Sequence, residues 1–256
     1  MTVFHLDVAV LTAVLIGLRI TGLMLTAPFL SHPAIPVAQK AALALVLTVL
    51  LYSLSAGRVA LPEGMAWVTA AFAEAGLGML LGMAAQLVVE AAQMAGQIAG
   101  FQAGYSLVTL LDPQTQADTP VLSTFFGLLG LLLFLQLGVD GWLLRALAAS
   151  FNSWPAGGAM ARVSAAAGWL PMATTVWSLG LRLAAPVVVA TALVDVGLAF
   201  LAKASPQLPV LFVGLPIKTM LSLLLLSAAL WGWPQILGEH FAGALVRGER
   251  LLHAGW

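Results

Sequence analysis

The chain has 256 residues, of which 61% are hydrophobic and only 8% charged, with a mean hydropathy of +1.03. A soluble domain carries about a quarter charged residues, so this composition indicates a membrane or membrane-assembly protein. Ten basic and ten acidic residues cancel, which removes any electrostatic case for nucleic acid, and the absence of cysteine excludes disulfides, iron–sulfur clusters and thiolate metal sites.

The N-terminus lacks the basic region of a signal peptide and carries Asp7, so the first apolar run reads as retained. That run extends from about Val8 to Ala27, is interrupted by Arg19, and gives way to a turn marked by Pro28, Pro33 and Pro36. A second runs from Val37 to Leu54, with Lys40 near its start, and Pro62-Glu63-Gly64 makes the next turn. From Met65 to Gly104 the helical pattern is too long for one perpendicular span of about 20 residues. At 100° per residue Gln86, Glu90, Gln93 and Gln97 fall on one polar stripe, with Gly78, Gly82, Gly96 and Gly100 clustered beside it. Such a helix suits a place between protein neighbours at the edge of an aqueous passage. Gly96, Gly100 and Gly104 recur every fourth residue and form a ridge that a second backbone can approach closely. Beyond Tyr105 the chain turns polar: Asp112-Pro113 stops any helix, and Gln114 to Thr119 has no large apolar side chain.

Val121 to Gly138 is free of charge and close to spanning length, ending near Asp140 and Arg145, and Ser150 to Pro155 reads as helix termination. Val163 to Ala202 is apolar again, with Pro171 and Pro186 expected to break or kink it and with Arg182 and Asp195 inside it. A connecting segment from Leu208 leads through Pro216 and Lys218, and Thr219 to Trp233 makes the last strong apolar helix. Pro234 ends or kinks that helix before a short amphipathic tail bearing Glu239, Arg247, Glu249 and Arg250. The pattern gives an all-α fold of about six long apolar, partly broken helices without internal repeats, in one integral helical domain covering residues 1–256.

Arg19, Glu74, Glu90, Arg182, Asp195 and Lys218 fall in or beside apolar segments, where each costs about 2.5 to 3.5 kcal/mol at a helix centre. They are expected near boundaries, paired with one another, or against partner subunits. Arg19 and Lys218 have stems long enough to snorkel to an interface, whereas Glu90 and Asp195 favour a protein- or water-lined setting. No two carboxylates are spaced as a dyad. The four histidines form no metal-ligand pattern, and Ser150, Asp140 and the histidines are too scattered for a catalytic triad. These residues leave two readings open, a subunit beside an aqueous passage and a small-molecule permease or exporter subunit, with an intramembrane enzyme the weakest.

The ordered motifs Gly96 to Gly104, Leu111-Asp112-Pro113-Gln114 and Thr119-Pro120-Val121-Leu122 carry a resemblance. Ser150-Phe151, Ala185-Pro186, Asp195, Pro206-Gln207-Leu208, Gly214, Pro216 and Lys218 extend it, as do Arg19, Pro28, Pro36 and Lys40 near the start. Together they resemble the FliR family of flagellar type III export-gate subunits, whose virulence-system homologues share the fold. Two positions depart from the family pattern: Val139-Asp140 stands where many members have Gly-His, and Pro209 where Asn is common. The resemblance implies a non-enzymatic subunit without cofactor or metal, in the bacterial inner membrane at the flagellar basal body. It implies assembly with FliP- and FliQ-type subunits into a closed helical channel, contact with an FlhB-type subunit, and passage of unfolded flagellar export substrates. Residues 1–190 would be FliP-like and 191–256 a FliQ-like hairpin. Gly100, Phe101, Gln102, Gly104, Asp112, Pro113, Gln114 and Pro120 would form the plug region, and Pro216 with Lys218 the C-terminal motif. Gly78, Gly82 and Gly96 are the expected helix-packing residues, and Arg19, Glu90, Asp195, Pro216 and Lys218 the buried polar or partner-contacting ones.

Overall fold

A computed structural model describes residues 2–55, 66–105, 121–158, 170–207 and 209–253. Its described residues form eight helices: α1 Thr2–Thr26, α2 Val37–Ser55, α3 Ala66–Gln102, α4 Val121–Gln136, α5 Val139–Ser153, α6 Leu170–Ala204, α7 Val210–Ala229 and α8 Trp233–His253. Four of them (in α1, α3, α6 and α7) are long and apolar enough to cross a membrane; α4 and α5 meet that test only as a pair bent by 64° at their break. Gly138 makes the break: its φ of +65° suits glycine, and the α4 ladder ends there with Gly138 N–H on Leu135 O at 3.0 Å.

Several boundaries differ from those expected of the sequence. α3 is a single unbroken helix of 37 residues, about 55 Å long by its rise, which overruns a hydrocarbon core of about 30 Å. Pro186 sits inside a continuous α6, and Pro216 lies inside α7 instead of on a connecting segment. Pro171 is the second residue of α6, where the missing N–H has no helical partner to lose. The tail after Pro234 is a helix of 21 residues, started and not stopped by that proline. Its apolar positions recur every three or four residues, with Trp233, Leu237, Phe241, Ala244 and Leu245 buried, so its low hydropathy hides a well-formed apolar stripe.

The chain separates into two compact units, residues 1–87, 134–173 and 241–256 in the first and 88–133 and 174–240 in the second. In the first unit α1 and α3 cross with their backbones nearly touching. A side chain on Gly22 would overlap the Ala75 carbonyl, one on Gly78 the Arg19 carbonyl, and one on Gly82 the Thr26 hydroxyl. Thr26 Oγ1 donates across this seam to Met79 O at 2.8 Å. Small residues thus let dispersion contacts and a cross-helix hydrogen bond replace a drive that lipid cannot supply. In the second unit Trp233 meets Phe126 edge-on, with ring centroids 4.6 Å apart.

Candidate functional site at the end of the long helix

The second half of α3 lies in the second unit, and glycines on its neighbours receive it. Gly96 faces the start of α4, where an added Cβ would stand 2.5 Å from Leu122 O and 2.7 Å from Ser123 Cα. Ser123 Oγ donates to Gln93 O at 3.1 Å, and the missing side chain of Gly127 makes room for the Gln93 side chain. Gly130 lies against Val89 and Ala92, and Gly180 of α6 against Ala91 and Met94. Gly127, Gly130, Gly180 and, in the first unit, Gly22 are packing residues that the sequence pattern does not bring forward. The i, i+3 spacing of Gly127 and Gly130 is nevertheless a usable signal, because it puts both on one helix face.

Of the polar stripe, Gln86, Glu90 and Gln93 are half-buried and Gln97 is exposed. The ridge is not uniform. A Cβ added to Gly100 would meet only the Leu122 side chain, at 3.7 Å, an ordinary contact, so the close backbone approach belongs to Gly96. Gly104 is not part of a helical ridge at all. Its φ is +89°, its N–H bonds Phe101 O at 3.1 Å, and the Tyr105 N–H reaches back to Gly100 O at 3.1 Å. This is the paired 5→2 and 6→1 bonding of a Schellman cap, which requires a left-handed residue that glycine adopts without strain. The helix therefore stops at Gln102, close to the Gly104 where its pattern is expected to end. At this end Phe101 is 71% exposed and Gln102 half-buried, and Val121, where α4 resumes, is 78% exposed. Asp112, Pro113, Gln114 and Pro120 lie outside the described residues.

Among the described residues two ion pairs stand out. In the second unit Lys218 Nζ of α7 meets Asp195 Oδ1 of α6, with the side chains 19% and 50% exposed. Pro216, just before Lys218 on α7, is exposed, and Gly214 makes room for Leu198 of α6. In the first unit Arg19 is fully enclosed and reaches no interface, contrary to a snorkelling side chain. Its Nε donates to Glu74 Oε2 at 2.6 Å, Nη1 to Ser150 Oγ at 2.9 Å and Nη2 to Trp154 O at 3.0 Å. The guanidinium also stands 4.1 Å from the centre of the Phe151 ring. Glu74 Oε1 accepts from Gly157 N–H at 2.8 Å, and Ser150 Oγ donates onward to Leu147 O at 2.6 Å. Burial of a charge is tolerable only when it is paired and hydrogen-bonded, and here one arginine fastens α1, α3, α5 and the turn after α5. No local pattern pairs Glu74 and Ser150 with Arg19, since they lie 55 and 131 residues away.

Comparison with known proteins gives these features a context. Residues 10–244 match the family model described as bacterial export proteins, family 1. The chain is 31% identical over 213 residues to the flagellar biosynthetic protein FliR of Escherichia coli (strain K12), covering 82% of this chain and 81% of that protein. It is 30% identical over 215 residues to FliR of Bacillus subtilis (strain 168), 83% of each. Yop proteins translocation protein T of Yersinia pestis is 30% identical over 154 residues, 59% of this chain and 58% of that protein. With most of its length matched, the chain belongs to family 1 of the bacterial export proteins.

Proposed function

We propose that this chain is a non-enzymatic subunit of the flagellar type III protein-export gate, in the bacterial inner membrane at the flagellar basal body. It assembles with FliP- and FliQ-type subunits around a channel for unfolded flagellar substrates and meets an FlhB-type subunit. Residues 1–190 act as its FliP-like part and 191–256 as its FliQ-like hairpin. The family supports the export role, and the similarity to FliR proteins over four-fifths of the chain supports the flagellar system.

The observation that carries the reading is the end of α3. A helix packed by Gly96 is stopped by the Gly104 cap, and in the sequence that follows Gln114 to Thr119 lacks large apolar residues. In this reading Gly100, Phe101, Gln102 and Gly104 anchor a plug whose polar part includes Asp112, Pro113, Gln114 and Pro120, and a rigid anchor with a polar tip suits a closure that must yield to a passing chain. Glu90, Asp195, Pro216 and Lys218 then line the passage or meet partner subunits. Deleting Ser106 to Thr119 should raise ion conductance through an assembled complex in planar bilayers. An assembled complex with unchanged conductance would falsify the plug.

A further inference from the structure

The first unit holds a pocket that the export reading does not use. It has a volume of 180 Å³ and opens beside the turn that follows α1. Its floor is made by Leu23, Ala27, Phe134 and Leu143, all buried. Phe29 and Leu144 stand on its rim, 43% and 37% exposed, and the carboxylate of Asp140, also exposed, is the one charged group lining it. Apolar cavities of about 150 Å³ take up benzene, so this volume accommodates one aromatic or branched apolar side chain. The rim is held in place: Phe29 has a φ of +66°, unusual for an aromatic residue, and the turn is closed by Leu30 N–H on Pro28 O at 2.7 Å and Ser31 N–H on Ala27 O at 3.0 Å.

We propose that this pocket is a socket for one Phe- or Leu-sized side chain of a co-assembled membrane subunit, with a lysine or arginine beside it in that subunit meeting Asp140. The carboxylate decides among occupants. An acyl chain would gain nothing from it, and an anionic phospholipid headgroup would bring its phosphate against a like charge. A basic residue next to an apolar anchor satisfies both parts of the site, in the arrangement of an interface hot spot whose apolar anchor fills a pocket and whose rim charge fixes register. Asp140 has no ion-pair partner among the described residues, so its charge is available.

The inference rests on the chain assembling with other subunits, and the experiment separates the two. The photo-crosslinking replacement Leu144→p-benzoylphenylalanine is introduced in the full chain, expressed with its co-encoded export subunits, irradiated in membranes and purified as the complex. An adduct on another subunit, at an apolar residue with a lysine or arginine within one helical turn, is the expected result. Asp140→Lys should lower that adduct about tenfold and Asp140→Asn less, as reversal and loss of one rim charge would, with the chain itself accumulating to the normal level. A complex that forms but gives an adduct to lipid, to a second copy of this chain, or to nothing overturns the socket alone. Failure of the unsubstituted chain to bring down any other subunit overturns the export-gate reading and the socket with it.

Discussion

The two ion pairs hold the same chemistry in opposite surroundings. Arg19 and Glu74 are 0% exposed, every contact of the guanidinium comes from the same unit, and Ser150 beside them both donates and accepts. Lys218 and Asp195 are 19% and 50% exposed. The spanning windows of α1 and α3 are 44% and 50% buried within the chain, those of α6 and α7 only 22% and 17%. Phe200, Phe212 and Met220 are each more than 70% exposed on α6 and α7. The Arg19 pair is enclosed by its own unit, whereas the Lys218 pair is open to lipid or protein around it. The charged pair is thus enclosed in the first unit and partly exposed in the second.

Removing one partner of each pair breaks the comparison open. Arg19→Ala leaves Glu74 buried and uncompensated and should cost about 3 to 5 kcal/mol. Thermal unfolding in detergent and the accumulated level of the chain measure that loss. The double replacement Arg19→Leu with Glu74→Leu should recover part of it, because the buried charge is then gone from both sides while the Gly157 N–H loses its carboxylate partner. If the double variant were as unstable as the single one, the hub would owe its strength to packing and not to charge.

The next largest contrast uses glycine. Gly78→Ala forces the α1–α3 backbones apart and should cost about 1 to 3 kcal/mol, as overpacking does. Gly197 of α6 has nothing within 4 Å of its missing Cβ, so Gly197→Ala should instead raise helix stability by about 0.5 to 1 kcal/mol. Equal destabilisation at both positions would mean that α6 is as tightly enclosed as the seam. Smallest is Lys218→Ala, which should change the stability of the isolated chain by about 0 to 1 kcal/mol, since its partner is half-exposed. An effect on assembly larger than the effect on unfolding would identify the pair as a contact point; a loss of several kcal/mol in the isolated chain would make it a second fastener.

The sequence carries the helices well wherever apolar residues run long and proline or glycine punctuates them, as from Val37 to Leu54 and from Met65 onward. It misleads where one residue type serves two purposes. Gly104 continues the four-residue spacing of Gly96 and Gly100, yet it caps the helix, because a period says which face a residue occupies only while the helix lasts. Pro216 and Pro234 look like interruptions, although one sits inside a helix and the other in a first turn. The export family is legible from ordered motifs, and the match over residues 10–244 agrees with it. Partnership is not legible. Nothing at the position of Arg19 points to Glu74, Ser150 and Trp154, since contacts between segments so far apart in sequence leave no periodic trace.

The proposed role places this chain in a mixed export gate. Its most direct test is the native mass of the complex extracted from membranes of cells expressing the chain with its co-encoded subunits. A single assembly containing this chain together with FliP- and FliQ-type subunits is the expected result. A stable homodimer that binds a small solute would contradict it.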